Sequence, residues 1–508
     1  MGGKIIKDVI VQAGGKGTRM LHLTKNRPKC LISIGGINIL QSIKNAFPNA
    51  KLHIIGDYKF DVLRSYLETV NLGFDYSLIK ANGIGTNAGL NEALREINPT
   101  NPVVITWSDL FYKEPIRIPD ENTNFIGLTN SSVCRYKLEG NKIIEQKSQT
   151  NGIIGFFFFK NTTILKDIPS NGEFVKYLSL SQIEIKPLIV DSIVDIGTLE
   201  NYNENKIKLM NSRFFNKVTI DGDKVIKEAR NSQFSHLLND EINWYNFIKS
   251  ANITSIPKIY NLNPLTMEKI EGTHPHFLKK PDKIKIVNRI IDELENIHKI
   301  STIKANPEDM YEVYVDKTLR RIEPVTKFLD LKNRSELVIN GIKTDPILPK
   351  DSEIIEQLYK QLKPIEYFTP IHGDPTFSNT FVKEDNNIIL IDPRGYFGRQ
   401  KIYGDPRYDF AKLYYSAIGN YDQFNMKNFN LEINGNKFML NIDSSGFEDS
   451  EIIFKNRLKS IYSDIKILHA LIWLSLSGYV LDDVDSMVAS YIHGLELIRR
   501  CIDEIENV

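Results

Sequence analysis

The sequence predicts an α/β fold in two parts: an N-terminal domain with a Rossmann-like, mixed but mainly parallel sheet, and a C-terminal α+β domain. Two observations lead to this prediction. Short apolar strands alternate with helical stretches up to about residue 202. Beyond a polar, Asn- and Lys-rich helix, a hairpin pattern opens a region of mostly helical periodicity. Strands that alternate with helices are typical of a parallel sheet with a ligand crevice at the strand ends.

In the N-terminal part, four short apolar runs are predicted as buried strands, because each is bounded by turn-forming residues. They are Asp8 to Val11, Leu52 to Ile55, Val103 to Thr106 and Phe125 to Leu128. The aromatic run Phe156 to Phe159 also fits a buried strand better than a stacking platform for nucleic acid.

The junction of the two parts is predicted near residue 213, which gives domains 1–212 and 213–508. A polar helix from Asn201 to Asn211 precedes it. After it, the alternation from Lys217 to Glu228 around an Asp-Gly pair predicts a hairpin. A strand-rich island from Thr369 to Asp392 interrupts the helical pattern of the second domain.

Composition narrows the class of partner. The 508 residues include 64 basic and 63 acidic side chains, a formal net charge of +1, which gives no reason to expect nucleic acid or a membrane surface as partner. Three widely spaced cysteines imply neither a disulfide framework nor a zinc site. No signal peptide or spanning run is seen. We expect a cytoplasmic protein that acts on small molecules; a homo-oligomer is compatible.

A glycine-rich turn follows the first strand directly. Glycines let a backbone approach a triphosphate, so that several amide N–H groups converge on its oxygens. The basic side chains in and after the turn suit the charge that builds up on phosphorus. The residues predicted to act here are Gln12, Ala13, Gly14, Gly15, Lys16, Gly17, Thr18 and Arg19, with Lys29 downstream.

This string, with Leu-Thr at 23–24 and Pro-Lys at 28–29, resembles the sugar-1-phosphate nucleotidylyltransferase family over about the first 205 residues. The resemblance implies that Arg19 and Lys29 contact phosphates and that Gly85-Thr86, opening a helix from Asn87 to Leu94, touches the base. It also implies attack of an acceptor phosphate on the α-phosphorus of a nucleoside triphosphate, with release of pyrophosphate.

Two aspartates are the expected Mg²⁺ ligands of this first site. Asp109 follows the strand that starts at Val103, at the strand end where open sheets bind ligands. Asp195 is similar to the second metal-binding aspartate of the family. Two carboxylates on one Mg²⁺ can hold the ion between the α-phosphate and the attacking phosphate.

The acceptor-binding stretch of the family is matched less closely. Glu145, Lys147 and Gly155 are the corresponding residues, but the lysine is one place late and the usual proline is missing. Trp107-Ser108 also replaces the more usual small-Gly pair before the metal aspartate. Lys147 therefore also fits a solvent-exposed side chain.

A second constellation lies in the strand-rich island. Asp374 precedes Asn379 by five positions, and Asp392 follows after a short strand. This spacing lets the first aspartate meet a substrate hydroxyl while the asparagine and second aspartate turn oxygens toward Mg²⁺. An ordinary carboxylate pKa suffices for this chemistry, because the hydroxyl proton needs an acceptor only late in phosphoryl transfer.

From about residue 214 to 500 the chain resembles the aminoglycoside phosphotransferase and choline kinase family, which has a protein-kinase-like fold. The resemblance implies an N-lobe of about 213–271 and a C-lobe of about 272–508. It makes Asp374 the catalytic base and Asn379 and Asp392 metal ligands. The other residues that it implicates are Lys227 and its partner Glu241 at the phosphates, Glu268 and Ile270 at adenine, and Arg394 and Asp409 near the substrate.

Together the two halves predict a bifunctional enzyme with Mg²⁺ at both sites, ATP as one substrate and CTP, UTP, GTP or dTTP as another. The kinase would phosphorylate a sugar, polyol or amino alcohol, and the first domain would convert the product into a nucleotide-activated precursor for surface glycan or cell-wall metabolism. Two alternatives stay open: a choline-like kinase joined to a phosphocholine-type cytidylyltransferase, and a nucleotide-binding sensor with one inactive domain.

Overall fold

The computed structural model describes residues 4–210, 216–229, 235–251, 253–279, 282–350 and 352–506. The chain divides into two compact units, one made of Met1–Asn211 with Asp482–Val484 and the other of Ser212–Leu481 with Asp485–Val508. The boundary predicted near residue 213 lies outside the described residues. No helix in the described ranges is long and apolar enough to cross a membrane.

The first unit alternates strands with helices as the sequence predicts. Its strands are β1 Asp8–Gln12, β2 Ser33–Ile34, β3 Ile37–Asn38, β4 Lys51–Gly56, β5 Tyr76–Lys80, β6 Val103–Trp107, β7 Leu110–Tyr112, β8 Asn124–Thr129, β9 Cys134–Glu139, β10 Lys142–Ser148, β11 Gly152–Phe159, β12 Ile185–Ile189 and β13 Ile193–Asp195. Its helices are α1 Ile39–Ala46, α2 Phe60–Thr69, α3 Leu90–Arg95, α4 Phe174–Leu180 and α5 Leu199–Met210.

The main sheet of this unit is mixed, with a parallel centre. Strands β6, β1, β4 and β5 are mutually parallel neighbours, and β11 joins β6 in the antiparallel direction. All four predicted strands are present, each a residue or two longer than predicted. The aromatic run of β11 is fully buried in the sheet, as expected. The predicted Rossmann-like mixed sheet of the first unit is therefore confirmed, and it is rich in parallel strands.

The second unit opens with a four-stranded antiparallel sheet and continues mainly as helices. Its strands are β14 Asn216–Asp221, β15 Lys224–Ala229, β16 Ile259–Leu262, β17 Leu265–Glu268, β18 Ile303–Lys304, β19 Leu337–Ile339, β20 Ile342–Thr344, β21 Tyr367–Pro370, β22 Thr380–Val382, β23 Ile388–Leu390, β24 Tyr396–Phe397, β25 Gln400–Lys401, β26 Tyr403–Gly404, β27 Phe429–Asn434 and β28 Lys437–Ile442.

Its helices, in chain order, carry most of the core. They are α6 Ser235–Lys249, α7 Lys283–His298, α8 Pro307–Tyr311, α9 Lys317–Phe328, α10 Ser352–Gln361, α11 Pro406–Ala417, α12 Tyr421–Asn425, α13 Glu451–Arg457, α14 Tyr462–Leu476 and α15 Val484–Glu506. Sheet β14-β15-β17-β16 contains the predicted hairpin, which turns at Asp221 to Lys224.

One sheet of the second unit was not expected from the helical periodicity. Strands β20, β19, β28 and β27 form a four-stranded sheet whose two hairpins turn at Asn340-Gly341 and Gly435-Asn436. Both glycines have positive φ, 85° and 61°. Asn-Gly and Gly-Asn pairs between strands are hairpin signals, so the local sequence did contain the information.

Two candidate active sites

The glycine-rich turn lies at the carboxyl edge of the first unit's parallel sheet. Strand β1 ends at Gln12 and its parallel neighbour β6 ends opposite it at Trp107, so the loops after both strands open at the same edge. Gly17 has a φ of 63°, and its carbonyl accepts a hydrogen bond from the Thr24 hydroxyl at 3.1 Å. A Cβ on Gly17 would lie 2.8 Å from the Thr24 methyl group, so both backbone and space require glycine here.

The structure brings the two segments predicted to hold the nucleotide together. The Gln12 side-chain amide donates a hydrogen bond to the Thr86 carbonyl, while the Thr86 hydroxyl accepts one from the Phe174 amide at 2.7 Å. Among the described residues, the buried Oε1 of Gln12 accepts no hydrogen bond. The helix after Gly85 begins at Leu90, not at the predicted Asn87, because Gly89 is left-handed and forms its N-cap.

The two predicted metal aspartates are neighbours across a strand pair. Strand β13 pairs with β7 so that Asp195 lies opposite Leu110, the residue after Asp109. A Cβ on Gly197 would lie 2.8 Å from Asp109 Oδ2 and 2.9 Å from Asp195 Oδ1, so both carboxylates border the same point. Lys29 Nζ lies 2.7 Å from Asp109 Oδ2.

The charges of this pair are only partly balanced. Burial, and then the charge of Asp109, raise the pKa of Asp195, although the Gly197 amide donates a hydrogen bond to it at 2.7 Å. The other oxygen of Asp109, Oδ1, is buried and accepts no hydrogen bond from any described residue. A buried carboxylate oxygen without a donor and an adjacent second carboxylate are hard oxygen ligands that fit Mg²⁺.

The remaining residues of the loop differ in exposure. Ala13 is buried, Gly14 and Gly17 are half-buried, and Gly15, Lys16, Thr18 and Arg19 are exposed. The Arg19 charge lies close enough to Asp195 to act on its pKa, where it favours the ionised form. A depression of about 440 Å³ lies beside the loop, with Lys16, Thr18 and Lys25 among its lining residues. The first site thus has cations on its rim and carboxylates at its base.

The predicted acceptor residues have three different environments. Glu145 is exposed on β10 and forms an ion pair with Arg135 at 2.6 Å. Lys147 is exposed further along the same strand. Gly155 has a φ of 81°, and a Cβ there would lie 2.2 Å from the Trp107 ring. The bulky Trp107 before the metal aspartate is therefore accommodated by a left-handed glycine on the neighbouring strand.

In the second unit, the loop after β21 presents Asp374. The side-chain Nδ2 of Asn379 donates hydrogen bonds to the carboxylate and to the backbone carbonyl of Asp374, both at 2.9 Å. Asp409, on α11, is fully buried and accepts the amides of His372 and Gly373 at 2.8 and 2.7 Å, and His298 contacts it at 2.9 Å. Asp409 thus holds the backbone of the Asp374 loop, a different task from the substrate contact predicted for it.

The second predicted metal aspartate meets the predicted phosphate lysine. Lys227 Nζ lies 2.7 Å from Asp392 Oδ1 and 2.7 Å from both carboxylate oxygens of Glu241. Lys227 and Glu241 are 4% and 5% exposed. Burial acts to lower the pKa of Lys227, but the two carboxylates outweigh it and the pKa is raised. Glu241 lies on helix α6, Ser235–Lys249.

Pairing of β22 with β23 brings Asn379 and Asp392 to adjacent strand ends. Thr380 lies opposite Leu390, and the Ile391 amide donates to the Asn379 carbonyl at 2.9 Å. Asp392 has a φ of 56°, which a non-glycine residue adopts only where the surroundings enforce it. An amide oxygen and a carboxylate are again donors suited to Mg²⁺.

Lys412 is a residue of this site that the sequence analysis missed. Its Nζ lies 2.7 Å from Asp374 Oδ1 and 4.7 Å from the centre of the Tyr415 ring. Burial acts to raise the pKa of Asp374, but the charge and hydrogen bond of Lys412, together with the charges of His372 and Arg394, outweigh it and the pKa is lowered. The available signal was spacing: Lys412 follows Asp409 by three positions, which places both on one face of a helix.

The other predicted nucleotide and substrate residues lie on the rim. Glu268 ends β17 and accepts the Lys258 amide at 3.2 Å, and Ile270 follows half-buried. Arg394 donates hydrogen bonds to the hydroxyls of Tyr396 and Tyr408, each at 3.1 Å. Within the described ranges no three His, Cys, Asp or Glu side chains are grouped to hold a metal ion.

No family model matches the chain. Among curated proteins, a CTP:phosphoglutamine cytidylyltransferase of Campylobacter jejuni is 26% identical over 115 residues, which are 21% of this chain and 44% of that protein. The chain thus spans less than half the length of that relative. The Adaptation to cold protein J of Shewanella oneidensis is 31% identical over 72 residues, 14% of this chain and 77% of that protein. Over that segment the chain belongs to the same family as the Shewanella protein, whose name states no reaction.

Solved structures resemble about two fifths of the chain. An inositol-1-phosphate CTP transferase from T. maritima is 14% identical with a TM-score of 0.35, over 41% of this chain and 96% of its own. HddC from Yersinia pseudotuberculosis is 20% identical with a TM-score of 0.34, over 40% and 99%. A CTP:phosphocholine cytidylyltransferase from Streptococcus pneumoniae is 17% identical with a TM-score of 0.29, over 41% and 100%.

Proposed function

We propose that the chain is a bifunctional enzyme that runs two consecutive phosphorus transfers. The second unit phosphorylates a small hydroxyl compound with ATP. The first unit then transfers a nucleotidyl group from a nucleoside triphosphate to the phosphorylated product, with release of pyrophosphate. The result is a nucleotide-activated precursor of the kind consumed in surface glycan or cell-wall metabolism. Two sites on one chain raise the local concentration of the shared intermediate.

The observation that carries the proposal for the first unit is the Asp109–Asp195 pair beside the glycine-rich turn. In this step an oxygen of the acceptor phosphate forms a bond to the α-phosphorus while the bond to the β-phosphate breaks. The reaction needs no protein nucleophile, only alignment and charge stabilisation. Lys29 and Arg19 stabilise negative charge on the phosphates. Asp109 and Asp195 would hold Mg²⁺, which would supply positive charge to the reacting phosphates.

For the second unit, the supporting observation is the arrangement of Asp374, Asn379 and Asp392 around one loop, with Lys227 reaching Asp392. Asp374 accepts the proton of the acceptor hydroxyl as its oxygen bonds to the γ-phosphorus and ADP leaves. Lys227, held by Glu241, contacts the α- and β-phosphates. Asn379 and Asp392 would hold Mg²⁺, which would supply positive charge to the triphosphate.

CTP is the nucleotide to test first, because the Campylobacter relative carries CTP in its name. The full chain is incubated with ATP, one of CTP, UTP, GTP or dTTP, and a panel of unphosphorylated acceptors, and ADP and pyrophosphate are measured in parallel. We expect pyrophosphate to appear only with an acceptor that also yields ADP. Asp109→Asn should stop pyrophosphate release and leave ADP formation unchanged.

A matched control for Asp109→Asn is Asp120→Asn, an exposed aspartate of the same unit. It should leave both products unchanged. The proposal fails if Asp109→Asn retains the wild-type rate of pyrophosphate release, or if it removes ADP formation as well.

A further inference from the structure

The side chains around Asp374 include more cations than carboxylates, and the region that they form is called the cleft below. Four half-buried cations line it: Lys317 and Arg321 on α9, Arg394 after β23, and Lys412 on α11. Of these, Lys412 alone forms an ion pair with a carboxylate described in the structure, that of Asp374.

The other three cations contact tyrosine side chains and form no ion pair with a described carboxylate. Tyr408 accepts a hydrogen bond from Arg394 at 3.1 Å, and Lys317 Nζ lies 5.6 Å from the centre of the same ring. The Arg321 guanidinium lies 5.7 Å from the centre of the Tyr479 ring and donates to the Ser475 hydroxyl at 3.3 Å. The phenol rings and hydroxyls are neutral, so these contacts position the cations without cancelling their charge.

A second carboxylate near Lys317 already forms an ion pair with another residue. Glu312 lies close enough to Lys317 to act on its pKa, but its carboxylate binds Arg320 at 2.7 Å. Burial, and then the charges of Arg394, Arg321 and Lys412, lower the pKa of Lys317 well below its usual value. Like charges held together in a half-buried cleft are costly unless an anion joins them.

We propose that the acceptor of the second unit carries an anionic group, a carboxylate or a phosphate, which binds Lys317, Arg321 and Arg394 while its hydroxyl meets Asp374. This inference rests on the proposed kinase function and narrows its substrate class. A guanidinium binds either anion in a bidentate geometry. A choline-type cation would meet the guanidinium groups of Arg321 and Arg394, which pair with no described carboxylate, so these charges argue against the choline-like alternative despite the tyrosines.

Direct anion binding tests the proposal without turnover. The full chain is saturated with Mg²⁺ and a non-hydrolysable ATP analogue, and the affinities for malonate and inorganic phosphate are measured by calorimetry. We expect Arg321→Gln to weaken binding of at least one of them by roughly tenfold or more, the usual effect of losing a charged hydrogen bond. Lys327→Gln is the matched control, because Lys327 lies on the same helix, is 56% exposed and pairs with Glu323.

A second readout uses small hydroxyl compounds of different charge as acceptors. Glycerol, glycerate, glycerol 3-phosphate and choline are compared in the ADP assay, and Lys317→Met serves beside Arg321→Gln should either variant fold poorly. The anionic compounds should have the higher kcat/KM, and the variants should raise the KM for the acceptor but not for ATP. Turnover by glycerate alone or by glycerol 3-phosphate alone identifies which anion the cleft takes.

Three results would overturn the inference: equal anion affinity in the wild type and Arg321→Gln, no binding of either anion, or a higher kcat/KM for glycerol or choline. Failure of the kinase function itself looks different. In that case the ATP analogue does not bind, or its binding is unaffected by Asp392→Asn.

Discussion

The two candidate sites are opposite in charge. In the first unit, Asp109 and Asp195 face each other with a single lysine in contact, and burial together with their mutual repulsion raises the pKa of Asp195. In the second unit, Asp374 is neutralised by Lys412, and its pKa is lowered. The two carboxylates of the first site thus share one contacting lysine, whereas the Asp374 carboxylate of the second site has a lysine of its own.

This difference follows from what each reaction brings to its site. In the proposed nucleotidyl transfer both substrates are phosphates, and a metal ion must join them, so the protein supplies carboxylates. In the proposed kinase step the hydroxyl acceptor needs a base and must be oriented, so the protein supplies an aspartate and binding groups for the rest of the acceptor. The same residue type, aspartate, has opposite electrostatic surroundings in the two units.

Replacing Asp374 is expected to give the largest difference between the activities of the two sites. We expect Asp374→Asn to lower the kcat for ADP formation by about 10²–10⁴-fold, the usual contribution of a general base. Pyrophosphate release from an acceptor that is already phosphorylated should stay at the wild-type rate. The measurement is the pair of product assays on one preparation, with Asp385→Asn, an exposed aspartate, as control. Equal loss of both activities would mean that the sites are not independent.

Lys227 tests the ion pairs of the second site. Replacing it by methionine leaves the carboxylates of Glu241 and Asp392 close together without their shared cation. Breaking a buried pair in this way costs about 3–5 kcal/mol. We expect a lower melting temperature for the second unit and a higher KM for ATP. Lys224→Met, at an exposed position of the same hairpin, should change neither. An unchanged KM for ATP would remove Lys227 from the nucleotide site.

The melting temperature of an Asp195 variant tests whether the first site carries excess negative charge. Its folded-state pKa is raised, so at pH values above that pKa the ionised carboxylate costs stability relative to the unfolded chain. In EDTA at neutral pH, Asp195→Asn should therefore raise the melting temperature, by about 2–4 °C for each kcal/mol gained. With Mg²⁺ the gain should shrink, because the ion stabilises the wild type. Exposed Asp191→Asn is the control. A lower melting temperature of Asp195→Asn in EDTA would contradict this account.

Lys147 is expected to give the smallest effect. Its side chain is exposed on β10, and no described residue forms an ion pair with it. Lys147→Ala should change the KM for the phosphorylated acceptor by no more than about twofold, the range of ordinary surface substitutions. A rise of tenfold or more would restore the acceptor contact that the family resemblance implies. Lys142→Ala, exposed on the same strand, controls for a general loss of charge.

The sequence by itself determined the positions of the four N-terminal strands and the residues that follow the strand ends. Apolar runs bounded by turn formers predicted the four N-terminal strands, because burial of a short strand requires local apolar side chains. The glycine turn, Asp109 and Asp374 were also predictable, since their chemistry depends on residue types at short spacing. The sheet of β19, β20, β27 and β28 was not predicted, although an Asn-Gly and a Gly-Asn pair mark its hairpin turns. The reason is that the residues around these turns belong to a region of mostly helical periodicity.

Tertiary structure alone decided which distant side chains share a charge environment. Nothing local in the sequence places Lys412 against Asp374, gives Asp409 the backbone amides of the Asp374 loop, or gathers Lys317, Arg321 and Arg394 in one cleft. The physical reason is range: strand and turn formation depend on neighbours within a few residues, whereas ion pairs and pKa shifts depend on distances in space between groups far apart in the chain.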